Sequence, residues 1–385
     1  MPRTAPRIVP IVLSTTALAL AGPATASHHP IEAVGGSLAS ISGSASAYGV
    51  SQARGASLAA RATRGTSVRV RLHLADDQSA NQMGIYQMTG FVGARVSAVL
   101  GPTLSGVAGA ADPIAGAARI PVLGVTNTTL DAAAAGPTFW RVTLSEERLI
   151  PTSVEYAKDT RGVATASLVS VTGEAYSEGA AQVFREAAAD EGIRLLADVS
   201  MPTGSGGAAD VIAQAVAPGP QAIFFAARSA DAVRLAVAAA GAPQTKVGGN
   251  GFNTPDVLGA AGTTTNGFIV SASWNPNKRD AASRAFVRAY RAAYRSTPDA
   301  FAAQGYGGVQ LLAAAAAMGH GGAPDRVLAG LRRVRAVPSV LGTMRFRSGV
   351  REAVYPATVQ VVRNGRLLLA PSGAATAERP VRSGR

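Results

Sequence analysis

The alternation of two kinds of segment limits what this chain can fold into. Short apolar runs rich in β-branched residues are separated repeatedly by stretches of helix length. The runs are "IEAVGG" (31–36), "VRVRLHL" (68–74), "VSAVLG" (96–101), "IPVLGV" (120–125), "ATASLVSV" (164–171), "RLLADVS" (194–200), "AIFFAA" (222–227), "TKVGG" (245–249) and "GFIVSAS" (267–273). Helical periods lie between them over 50–62, 80–94, 147–158, 177–191, 206–216, 230–241 and 279–295. Strand–helix units repeated in this way imply parallel sheets covered by helices on both faces. After residue 300 the pattern changes to helices over 301–318 and 324–335, a hairpin of "GTMRFRS" with "PATVQVVRNG", and an aperiodic tail over 371–385. With 385 residues, 47% of them hydrophobic and 15% charged, the chain suits two domains or one large α/β unit and excludes general disorder.

The N-terminus narrows the compartment. Arg3 and Arg7 precede an apolar run, "IVPIVLSTTALALAG", followed by Ala24 and Ala26 in the small-x-small spacing of a signal-peptidase site. The expectation is a signal peptide over 1–26, cleaved near Ala26, and an exported, periplasmic chain. There is no cysteine, so no disulfide, thiolate metal site or lipid-modified cysteine exists. The net charge of +13 raises the question of nucleic acid, but the arginines are mostly scattered and aromatics make up 5% of residues. No stacking platform is visible, and nucleic acid is not an expected partner.

In open parallel sheets, ligands bind beyond the carboxyl ends of the strands. The stretch "AVLGPTLSGVAG" (98–109) is such an end: a strand breaks at Gly101-Pro102 and a helix restarts with Ser105 at its cap. The free N–H groups of Gly106 and Val107 would then face outward, ready for a carboxylate. A serine cap is also an ordinary structural device. The neighbouring strand ends add weight: one runs into Thr126-Asn127-Thr128-Thr129, the other into "SLASISGSASAYG" with Tyr48.

The ordered motifs "SGSASAYG", "LHLADDQSA", "AVLGPTLSGVA", "IPVLGVTNTT", "FWRV", "VTGEAYSEG", "GGNGFNTPDVL" and "LGTMRFRSG" resemble the type I periplasmic binding proteins. The branch they resemble contains the leucine/isoleucine/valine receptors of ABC transporters. The resemblance covers about residues 30–366. It implies two doubly wound α/β lobes joined by three hinge crossovers: lobe I over 30–145 plus 272–339, lobe II over 146–271 plus 340–366. It also implies a small-molecule ligand, a membrane permease as partner, a monomer, and no cofactor. Ser105, Thr126 and Thr128 fall where the family binds an amino acid's carboxylate, and Tyr48 and Tyr176 where it places cleft tyrosines. Either tyrosine alone could equally be a rim aromatic.

Two positions depart from the family pattern. Amino-acid receptors carry an acid in the loop after the "KVGG"-like strand, where it pairs with the ligand's ammonium; this chain has Asn250. After "AIFFAA", where relatives often carry an aromatic, stands Arg228, either a cleft cation for a second carboxylate or an aromatic acid, or a solvated helix-start residue. Glu174 is the nearest acid that could replace the missing one. The expected ligand is therefore a small amino-acid-like, carboxylate or amide compound without a cationic distal end.

Nothing in the chain suggests catalysis or a metal. Asp76 and Asp77 are adjacent on a strand and point to opposite faces; the resemblance makes them a structural feature of the strand's end. The histidines lack metal-ligand spacing, no GxSxG elbow surrounds a serine, and phosphate loops are absent. The leading expectation is a solute receptor of an importer and not an enzyme. The alternative is a sensory receptor that uses the same clamshell or, more remotely, a hydrolase.

Overall fold

The computed structural model describes residues 30–129, 135–254, 257, 259 and 262–371. The expected signal peptide over 1–26, the histidine pair at 28–29 and the tail from 372 lie outside the described residues.

Strand β1 (Ile31–Ala39) is buried over its last five residues, as a strand covered on both faces must be. It pairs in parallel with β2 (Val68–Asp76), in step from Ile31–Val68 to Ala39–Asp76. With β3 (Ala98–Leu100), β4 (Val122–Gly124) and β5 (Phe139–Arg141) it forms a parallel sheet in the order β2-β1-β3-β4-β5. One face carries α1 (Ser46–Ala62) and the later helices α8 (Ala281–Tyr294), α9 (Ala300–Met318) and α10 (Pro324–Arg333) around Ala56, Leu100, Phe286 and Leu312. The other carries α2 (Asn81–Gly93) and α3 (Ser105–Ala117) over Leu38, Met88, Phe91 and Val99.

The second sheet contains β6 (Thr165–Thr172), β7 (Arg194–Pro202), β8 (Ala222–Ala226), β9 (Thr245–Gly248) and β10 (Ile269–Ala272), with β13 (Thr358–Arg363) and β14 (Arg366–Leu369) along one edge. Its order is β14-β13-β10-β9-β8-β6-β7; β6 to β10 are parallel, and β13 runs antiparallel to β10. Helices α4 (Glu146–Arg161) and α5 (Ala175–Asp190) cover one face, α6 (Ala208–Val216) and α7 (Ser229–Ala238) the other.

The expected hairpin of "GTMRFRS" with "PATVQVVRNG" does not form. Gly342–Arg345 (β12) pairs instead with Ala336–Ser339 (β11), and β13 turns back on β14 through Asn364 and Gly365. Both turn residues have positive φ, 50° and 68°, which is the Asn-Gly signature of a two-residue hairpin. Strand β5 lies in the short "FWR" run, which has no period of its own and is recognisable only by its place beside β4.

The chain crosses between the sheets three times, and the crossings are stitched together. Leu144 N donates to Ser273 Oγ at 3.2 Å, Thr143 and Ser273 share a hydroxyl contact at 3.0 Å, and Tyr355 Oη donates to Val142 O at 3.0 Å. Met344, Phe346, Ala353 and Tyr355 pack in the first core, and Glu352 bridges to Arg141 at the edge of β5. We therefore propose the third crossing between Tyr355 and β13, later than the boundary at 339/340 expected from sequence.

Ser105 is not the cap of α3. The extended residue before the helix is Leu104, at φ −94° and ψ 140°, and no side chain caps the turn. Leu104 is held there by burial with Tyr48, Val107 and Phe301. Ser105 becomes the first helical residue, and its hydroxyl is not used as a cap. Just before, Gly101 sits at φ +110°, where a Cβ would lie 2.0 Å from Leu38 O. Gly101→Ala is expected to cost more than about 1 kcal/mol, because alanine meets both the positive φ and the carbonyl. Urea unfolding with an unchanged midpoint would contradict this reading of the turn.

Candidate functional site

The carboxyl ends of both sheets meet in a cleft. There a cavity of about 320 Å³, its mouth included, is lined by Tyr48, Thr103, Leu104, Ser105, Thr126, Thr128, Tyr176, Arg228, Asn250, Gly251 and Phe301. All seven residues singled out from sequence are in this wall. Phe301, Thr103, Leu104 and Gly251 were not singled out; Phe301 reaches the site from the start of α9, far along the chain, and no local signal marks it.

On the first lobe the strand ends are tied by Gln52, which is fully buried in α1. Its Nε2 donates to Leu38 O (3.1 Å), and its Oε1 accepts from the hydroxyls of Thr103 (2.8 Å) and Thr126 (3.0 Å). The Thr126 hydroxyl, expected to serve a carboxylate, is thus engaged within the wall and also lies 2.9 Å from Thr103 O. The adjacent acids are structural, as expected. Asp76 accepts from Ile41 N, Ser42 N and Gln78 N, and Asp77 from Ser40 Oγ and Ser79 N.

The two lobes touch through Tyr48. Its Oη accepts from Ser229 N at 2.7 Å and donates to Gly251 O at 2.9 Å, while its ring meets Phe301 edge-on at 4.9 Å. Burial pushes the Tyr48 phenol above its ordinary range, so it is a neutral donor throughout the physiological range. Tyr176 Oη accepts from Gly251 N at 2.8 Å. Gly249 beside it has no room for a side chain, since a Cβ would lie 2.7 Å from that hydroxyl.

Asn250 is oriented by a chain of amides. Asn275 Nδ2 donates to Gln360 Oε1 (2.5 Å), Gln360 Nε2 to Asn253 Oδ1 (2.6 Å), and Asn253 Nδ2 to Asn250 Oδ1 (2.8 Å). With its oxygen engaged, Asn250 has the NH₂ group to offer, a donor that suits an acceptor on the ligand.

Among the described residues, Arg228 is the only charged one lining the cavity. Its Nε lies 3.0 Å from Glu174 Oε1, with both side chains largely buried. Glu174 also caps α5, accepting from Tyr176 N (3.1 Å), Ser177 N (2.9 Å) and Ser177 Oγ (2.9 Å). That engagement removes it as the replacement acid for a ligand ammonium. Sequence reading missed Glu146, the first residue of α4, which is wholly buried behind this wall.

A family model described as periplasmic binding protein matches residues 36–366. The chain belongs to this family. Three solved structures show the breadth of the fold. LivJ of Streptococcus pneumoniae, solved with isoleucine, is 23% identical, with a TM-score of 0.79 over 88% of this chain and 98% of its own. LivK of Thermotoga maritima, a leucine binding protein, is 18% identical, with a TM-score of 0.81 over the same shares. A solute binding protein of an R. palustris ABC transporter, solved with benzoate, is 21% identical, with a TM-score of 0.77 over 89% of this chain and 95% of its own. A comparison with curated protein sequences finds no match. Like other periplasmic binding proteins, this one has two lobes of parallel sheet. Among the described residues, no helix is long and apolar enough to cross a membrane.

Glu174→Ala removes the cap of α5 and the partner of Arg228 together. A loss of about 1–2 kcal/mol is expected, the upper range for an N-cap deletion. Equal stability in denaturant titrations would show that the carboxylate does neither task.

Proposed function

We propose that this protein is the exported solute receptor of an ABC importer, and that its cleft closes on a small carboxylate- or amide-bearing ligand without a cationic end. The observation that carries this reading is the charge of the wall: among the described residues it holds one arginine and no acid, with donors from Ser105, Asn250 and the first turn of α3. Tyr48, Tyr176 and Phe301 add apolar and aromatic surface, which suits a ring or branched chain. The benzoate-bound relative shows that this fold can accept such an acid. A zwitterionic amino acid would bring its ammonium into a cavity whose described lining supplies no carboxylate, and an unpaired buried charge costs several kcal/mol, roughly 3–5. The export, the partnership with a permease and a monomeric state complete the proposal. The seven residues Tyr48, Ser105, Thr126, Thr128, Tyr176, Arg228 and Asn250 are proposed as its binding set, with Thr126 acting through Gln52 and Thr103.

The test compares leucine with 4-methyl-2-oxopentanoate, which has an oxo group where leucine has its ammonium, and with benzoate. Calorimetry should show binding of an oxo acid or benzoate and weak or no binding of leucine. Asn250→Glu should move the preference towards leucine. Tight leucine binding by the native protein, with Asn250→Glu adding nothing, would refute the proposal. Ser105→Ala should weaken the bound carboxylate by about 1.5–3 kcal/mol, the range for a hydrogen bond to a charged group. Compaction in small-angle scattering should accompany binding, since hinge closure draws the lobes together.

A further inference from the structure

Glu146 stands where the chain first crosses from the first lobe to the second, at the start of α4. It is wholly buried, and three residues of the cavity wall converge on it: Thr128 Oγ1 donates to Oε1 at 3.3 Å, Asn250 N donates to Oε1 at 3.1 Å, and the Tyr176 hydroxyl donates as well. Thr128 belongs to the first lobe, Asn250 and Tyr176 to the second, so one carboxyl group joins both sides of the cleft. The two oxygens are unequal. Oε2 is buried with no hydrogen-bond partner. An ionised carboxylate would leave half its charge there without a donor, whereas a neutral acid places its proton on Oε2 and keeps Oε1 as acceptor.

We propose that Glu146 makes ligand capture proton-linked: a carboxylate ligand entering the closed cleft is accompanied by a proton, taken from solvent onto Glu146. The inference rests on the reading of the cavity as a carboxylate site. A ligand anion against Thr128, Tyr176 and Asn250 adds like charge directly in front of the buried carboxyl, and the cleft then holds one anion in place of two. The ionisable groups acting on Glu146 reinforce this. Glu147, next on α4, is a like charge, and Tyr176 on α5 stays neutral because burial and Glu146 itself raise it well above its ordinary range. Thr128 and Asn250 do not ionise. Arg228, the cation of the cavity, is paired with Glu174. Burial, opposed by the three hydrogen bonds, brings the Glu146 carboxyl from its ordinary 4.5 up to about 7. The exchange therefore falls near neutral pH.

The sign follows from linkage. A ligand anion raises the Glu146 pKa further, so the bound protein holds more protons than the free one above about 7. Affinity for the carboxylate is highest below that pH and falls as pH rises, by up to about tenfold per pH unit, until Glu146 is ionised in both states. In the free protein the folded pKa lies above the unfolded one. The stability Glu146 contributes is present below about 4.5 and is lost as pH rises through about 7.

The experiment uses the native protein with benzoate and 4-methyl-2-oxopentanoate. Calorimetry at pH 7.5 in phosphate and in Tris counts protons from the difference in enthalpy between buffers. The expected result is uptake of up to about one proton per ligand, lost in Glu146→Gln, whose affinity stays flat with pH. The other buried carboxyl raised well above its ordinary range, Asp112 in α3, remains in that variant, and Asp112→Asn should leave the proton count intact. The count on the native protein and on Asp112→Asn stands even if Glu146→Gln does not fold. Binding with no uptake between pH 6 and 8.5, or uptake that persists in a folded Glu146→Gln, overturns the proposal. Without ligand, thermal unfolding of the native protein should lose ground to Glu146→Gln between pH 5 and 8; parallel curves also overturn it. Failure of both carboxylates to bind at any pH, with the ligand-free curves still diverging, refutes the reading of the cavity and leaves Glu146 as a titrating hinge residue alone.

Discussion

Parallel strands cannot be joined by tight turns, and the rest of this molecule follows from that constraint. Each strand of the parallel part of a sheet must be followed by a return path of a dozen residues or more, so every strand ends at the same edge. Two such sheets facing edge to edge bring loops from positions as distant as Tyr48, Ser105, Thr128, Tyr176 and Asn250 to one cavity. The site is built from strand ends and helix starts, places where backbone N–H groups are unpaired by geometry. A polar ligand therefore meets donors that need little side-chain reorganisation.

Polar groups buried at that junction have to be satisfied by one another. Gln52 does this on the first lobe, and the amide chain from Asn275 to Asn250 does it on the second. Both fix the orientation of groups at the cavity from positions outside its lining. The seam at Tyr48, Gly251, Tyr176 and Glu146 differs in kind, since it joins groups of different lobes: Tyr48 Oη meets Gly251 O, and Thr128 Oγ1 meets Glu146 Oε1. The same bonds that hold the wall in place thus also tie one lobe to the other.

Most strands and helices are legible because their periodicity is local, and the cavity wall of the candidate site because parallel sheets gather loops at their strand ends. The expectation at Ser105 failed in detail: serine favours the cap by propensity, but Leu104 gains more by burial against Tyr48 and Phe301 and takes the extended position itself. The misread hairpin has a similar cause, because β11, β12, β13 and β14 all carry strand character and only the turns at Val340-Leu341 and Asn364-Gly365 select partners. Glu146 was invisible for a different reason. Nothing in "TLSEERL" distinguishes an acid in the first turn of an exposed helix, the ordinary reading, from one sealed behind a cavity; burial decides it, and burial is tertiary.

The threefold crossing also sets an order of assembly. The first core needs Phe286, Leu312, Met344 and Tyr355 from the last third of the chain, and the second needs Val361 and Val362 of β13 to cover its edge at β10. Neither lobe can finish its core from an emerging N-terminal fragment. Completing either core therefore waits on pairings between residues far apart in sequence, which are slow to form. Under the proposed export that delay is an advantage, because a core that closes late does not have to be pulled open at a narrow translocation pore.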